Sequence, residues 1–158
     1  VTLRELHAVL QIAMGWQDDH LFLFRVGDVV YGDVDDFPGE VGDDETVTVG
    51  DAAAVGTAFG YEYDFGDGWE HVVEAGQRLP AVGTGTPFCM AGARACPPED
   101  CGGPPGYEHL LRVLADPRHP EHEELTEWVG GEFDPEAFDL AATNELLALF
   151  DRHTRRHR

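Results

Sequence analysis

The residue types best suited to chemistry in this chain gather in one short stretch, Cys89-Met-Ala-Gly-Ala-Arg-Ala-Cys96-Pro-Pro-Glu-Asp-Cys101-Gly-Gly. It holds all 3 cysteines, spaced C-x6-C-x4-C in a loop of glycine, alanine and proline. The CxxC knuckle of zinc ribbons is missing. Three soft thiolates nevertheless suit Zn²⁺, a Gly/Pro-rich loop wraps a small ion readily, and a fourth ligand would complete a tetrahedron. His71 is the first candidate for that ligand, with His109, His119 and His122 as alternatives. Two other readings stay open: buried free thiols, or a labile disulfide with one spare cysteine. The histidines have structural readings too. His71 would sit on an aromatic strand face, hydrogen-bonded to Asp64 or Asp67, and His119 and His122 on a solvated helix face beside Glu121, Glu123 and Glu124.

Catalysis by this set would need a cysteine nucleophile with a histidine base, or a metal-activated water at an open site. No third, orienting group and no oxyanion hole can be read beside them, so no catalytic residue is assigned. Two absences remove whole mechanisms. Without serine there is no serine-nucleophile hydrolase or serine recombinase. All 10 basic residues are arginine, so Walker-type phosphate loops and Schiff-base chemistry go as well.

The elements that must position these residues follow from periodicity. Thr2-Leu-Arg-Glu5 reads as a capping box opening a helix, with Leu3, Leu6, Leu10 and Ala13 on its core face and Gly15 as its stop. "HLFLFRVGDVVYG" predicts a hairpin turning at Gly27-Asp28, and residues 32–46 an exposed acidic loop without the spacing of a calcium loop. "VTVGDAAAV" predicts a short helix or turn. "FGYEYDFGDGWEHVVEA" predicts strand, turn and strand, with Tyr61, Tyr63 and Phe65 on one face and Trp69, His71 and Val73 on one face of the partner. Trp16, Trp69 and Trp128 read as core or interface anchors. Past the proline-rich middle, three helices are expected within 106–116, 119–131 and 134–150, capped by residues such as Asp134 and Asp139. The expected architecture is therefore α+β: a single mixed domain over 1–151, with a mostly antiparallel sheet, a helical C-terminal half and a basic tail over 152–158.

Net charge is −21, and four of the arginines fall in "RHTRRHR" at the end. Such a surface repels phosphate backbones, which argues against direct nucleic-acid binding and leaves a protein as the expected partner. It reads as a solubilising surface, with nucleic-acid mimicry toward basic proteins as the sharper alternative. No run resembles a membrane helix or signal peptide, so a cytoplasmic protein with reduced or metal-bound cysteines is expected.

"LRELHAVLQIAMGWQDDHLFLFRVGD", "YEYDFGDGWEH", "CMAGARACPPEDCGGPPGYEHLL" and "DPRHPEHEELTEWVGGEFDPEAFDL", in that order, resemble the Ri-plasmid ORF-3-like family across nearly the whole chain. The resemblance implies one mixed domain of α/β-roll type. It marks as signatures Asp64, Phe65, Gly66, Asp67, Trp69 and His71, then Cys96, Pro97, Pro98, Glu99, Asp100, Cys101 and Gly102. Members are often labelled resolvase-like passengers of insertion elements, a label this serine-free, acidic chain does not fit. They typically begin with an extended segment carrying a "PPIWRR"-like stretch; here the first helix opens the chain, so a preceding strand is expected to be missing.

Together these readings predict a mobile-element-associated, non-enzymatic interaction domain with a structural zinc held by Cys89, Cys96, Cys101 and His71 or a later histidine. A metal- or thiol-dependent hydrolase is the alternative, and an acidic decoy for nucleic-acid-binding proteins the third.

Overall fold

A computed structural model describes residues 1–78, 80 and 85–150; the tail over 152–158 lies outside the described residues. Helix α1 (Leu3–Met14) opens on the predicted capping box, the Glu5 amide donating to Thr2 Oγ1 and the Thr2 amide to Glu5 Oε2. It stops at Gly15, whose φ of 76° is the left-handed cap that glycine adopts without strain. Strands β1 (Phe22–Val26) and β2 (Val29–Gly32) form the hairpin, turning at Gly27. A two-residue strand, β3 (Gly42–Asp43), precedes the short helix α2 (Val49–Ala52). Strands β4 (Ala58–Tyr63) and β5 (Trp69–Glu74) complete one sheet of order β3-β2-β1-β4-β5, antiparallel except for the β2–β3 pair. The second half is helical, with α3 (Gly103–Leu114), α4 (His122–Trp128) and α5 (Leu140–Ala148), the last capped by the Asp139 side chain. The fold is α+β, as composition and periodicity predict.

Alternation along the sheet builds the core. Phe22, Phe24, Phe59, Tyr61 and Tyr63 point to one face and pack with Leu3, Trp16 and Ala53. Each fully buried aromatic there contributes on the order of 1.5–3 kcal/mol. Three expectations shift. Phe65 does not extend the Tyr61–Tyr63 face, because Asp64 takes a φ of 53° and ends the strand, leaving Phe65 exposed in the turn. The most deeply buried stripe of α1 includes polar His7 and Gln11 rather than only leucines: His7 Nδ1 lies 2.8 Å from the Tyr61 hydroxyl, which also accepts from Gln11 Nε2 at 3.0 Å. His7 also stacks flat on Phe22 at 3.5 Å. Finally, the acidic loop over 32–46 is not wholly solvated. Asp44 is 0% exposed and accepts from Arg4 Nε and Nη2 at 3.2 and 3.0 Å.

Candidate functional site

The two signature stretches meet. In the β4–β5 turn, the Asp64 side chain folds back so that Oδ1 accepts from the amides of Gly66 and Asp67, at 3.0 and 3.2 Å. Its own amide donates to the Leu21 carbonyl at 3.0 Å, tying the turn to the entry of β1. Asp67 Oδ2 then accepts from the Gly102 amide at 3.1 Å, and Gly103 lies directly against the Asp67 carbonyl. The cysteine loop is strapped to the α1–β1 connection as well: Trp16 Nε1 donates to the Pro97 carbonyl at 2.9 Å, and Glu99 accepts from the Gln17 amide at 2.9 Å and from the Tyr63 hydroxyl. Asp67 and Glu99, which by type could do acid–base work, are thus engaged as hydrogen-bond acceptors, Asp67 of the Gly102 amide and Glu99 of the Gln17 amide and the Tyr63 hydroxyl. Burial, with Glu99 adding to it, drives the Tyr63 phenol far above its ordinary value.

The cysteines occupy three environments. Cys89 is held beside α5 by a two-way link to the Asn144 amide, and its Sγ lies 3.3 Å from the Ala91 carbonyl. Cys96 packs on the aromatic core, where burial pushes its thiol up to about 12, with Cys101 and Glu99 adding to the rise. Burial, then Asp67, pushes the Cys101 thiol up to about 11. All three are free thiols, so none forms the labile disulfide. Cys96 and Cys101 are thereby kept protonated at neutral pH, the reverse of what a thiolate nucleophile needs.

His71 faces inward from β5, edge-on to Trp16 at 5.5 Å, with Nδ1 3.2 Å from the Tyr61 carbonyl. Its hydrogen-bond partner is therefore backbone rather than Asp64 or Asp67, which are occupied in the turn, and burial lowers its pKa. His109 Nε2 sits 3.4 Å from Glu121, with the His119 ring at 6.1 Å. His122 does not share a solvated face with His119; its Nδ1 lies 3.0 Å from the Val113 carbonyl on α3. Among the described residues, the ligand atoms of Cys89, Cys96, Cys101 and these histidines do not draw together three at a time within 4.8 Å. One group does: His20, Asp64 and Asp100. Sequence reasoning passed over His20 as the start of a strand, and no spacing links it to Asp100. The only available signal was that both aspartates belong to the signature stretches.

Cys101 also lines a groove of about 210 Å³ between α3 and α4, with Asp100, His109, Leu110, Glu124 and Trp128 among its walls. Trp128, read from sequence as a core or interface anchor, is 47% exposed here.

These features define an α+β domain of one mixed five-stranded sheet, whose acidic turn and cysteine strap are sewn together at one end. The chain belongs to the plasmid pRiA4b ORF-3-like protein family, whose model matches residues 1–142. It is 41% identical over 165 residues to the uncharacterized protein y4hQ of Sinorhizobium fredii, covering 99% of this chain and 84% of that one. It is also similar to a crystal structure of a protein of unknown function, MM3350 from Methanosarcina mazei, with a TM-score of 0.77 and 36% identity over 88% of this chain and 81% of that one. Among the described residues no helix is long and apolar enough to cross a membrane.

Proposed function

We propose that this chain is a non-catalytic accessory domain of the mobile-element type that binds a basic segment of a partner protein in the α3–α4 groove. The groove itself is the observation that carries the reading. At about 210 Å³ it is smaller than the roughly 300–1,000 Å³ of a small-molecule pocket, so a side chain fits it better than a metabolite. Half-exposed Trp128 offers a ring face, and Glu124 and Asp100 offer carboxylates at the wall. A planar guanidinium satisfies both, stacking on the indole while pairing with acid, which favours arginine over lysine. The protonated thiols of Cys96 and Cys101 weigh against the thiol-hydrolase alternative. Zinc at the cysteine loop would need Cys96, Cys101 and a third ligand to close in on one another.

Fluorescence anisotropy of a labelled arginine-rich peptide tests the reading. W128A is expected to weaken binding by more than about tenfold, and a lysine version of the peptide to bind less well. If W128A and E124Q both bind the arginine peptide as the unaltered chain does, only diffuse charge is at work and the groove is not the site.

A further inference from the structure

Where turn, strap and the α1–β1 connection meet, His20 Nε2 lies 3.2 Å from Asp100 Oδ1 and 3.7 Å from Asp64 Oδ2. This nitrogen is shut off from solvent and makes no hydrogen bond, being aligned on neither oxygen. A ring nitrogen between two carboxylates is satisfied either as a donor aimed at one of them or as a lone pair turned to a cation they share. The first arrangement is not made. The spacing comes close to the second: ligand atoms about 2.0–2.2 Å from a divalent ion stand about 2.8–3.6 Å apart in octahedral or tetrahedral geometry, a range that the 3.2 Å pair meets and the 3.7 Å pair slightly exceeds.

The surroundings are those of a prepared site. Asp64 is nine-tenths buried, and the amides of Gly66 and Asp67 take up its Oδ1, leaving Oδ2 toward His20. The His20 ring stands edge-on to Tyr63 at 5.8 Å. The Asp100 side chain is 73% exposed and provides a way in from solvent. One imidazole and two carboxylates, without sulfur, suit a hard-to-borderline divalent ion such as Mn²⁺, Co²⁺ or Zn²⁺. We propose that His20, Asp64 and Asp100 form a divalent-metal site that uses no cysteine ligand and shares Asp100 with the wall of the groove.

Titrating the full chain with Co²⁺, followed by visible spectroscopy and calorimetry, tests this. About one equivalent is expected to bind without a thiolate-to-cobalt charge-transfer band. Affinity should fall more than about tenfold in both H20Q and D100N and persist in the C96S/C101S double variant. Circular dichroism checks that each variant folds, and the exposed D100N change does not threaten the core. No uptake by the folded parent chain, or uptake unchanged in H20Q and D100N, would overturn the proposal. So would a thiolate band that vanishes in C96S/C101S, which would put the metal on the cysteine loop instead.

Discussion

Asp44 and Arg4 carry the sharpest energetic consequence of any residue pair here. Arg4 bridges two carboxylates, reaching Asp33 Oδ2 at 2.6 Å as well as Asp44. Burial pushes the Asp44 carboxyl up to about 6, while the guanidinium pulls it back. The folded protein therefore holds that proton more tightly than the unfolded chain, and this carboxyl's contribution to stability declines as pH rises from about 4 through about 6. R4M strands the buried charge and is expected to cost roughly 2–4 kcal/mol at pH 7. The deficit should shrink at pH 5, where Asp44 is largely protonated; urea melts at the two pH values decide it, and an equal deficit at both would refute the assignment. The sequence hid this pair because "GDVDDFPGEVGDDE" offers many carboxylates and nothing local says which one meets an arginine on α1. His20 was hidden for the same reason: a group assembled by tertiary contacts leaves no spacing to read.

Among the elements, α3 depends on two glycines, Gly103 and Gly106, where a Cβ would press into a backbone carbonyl. Gly103 at its start has a φ of +66°, and a Cβ there would press into the Asp67 carbonyl, a backbone atom that cannot step aside. G103A is expected to destabilise by roughly 2–4 kcal/mol, against about 1 kcal/mol for G130A, where φ is also positive but nothing lies within 4 Å. Chemical denaturation of the two variants measures the difference, and equal costs would mean that the turn–α3 joint is loose. Elements with a period were legible: the Tyr61–Tyr63 alternation, the Thr2–Glu5 box and the Asp139 cap all stand where the pattern puts them. Two kinds of feature were not. The polar stripe of α1 breaks the apolar pattern because the Tyr61 hydroxyl satisfies His7 and Gln11 inside the core. The strap over 96–103 has no period at all, since its conformation is set by side chains from the α1–β1 connection, β4 and the turn.

Across the whole molecule the dominant quantity is charge. A formal −21 on 158 residues makes like-charge repulsion a standing cost of compactness. Raising NaCl from about 0.02 to about 0.5 M should therefore raise Tm by roughly 2–5 °C, the shift that about 1 kcal/mol of screened repulsion produces at this size. A thermal melt series tests it, and a flat or falling Tm would show that ion pairs such as Arg4–Asp44 outweigh the repulsion. The strap has a consequence of a different kind, in time. The sheet is held by packed rings, whereas much of the strap is held by hydrogen bonds to its backbone, so the strap can open as a unit while the sheet stays closed. Each opening uncovers the Cys96 thiol and lifts the Pro97 carbonyl from Trp16. The rate at which a folded sample is alkylated at Cys96 is thus a clock for that excursion, built into the protein by where its sulfur happens to pack.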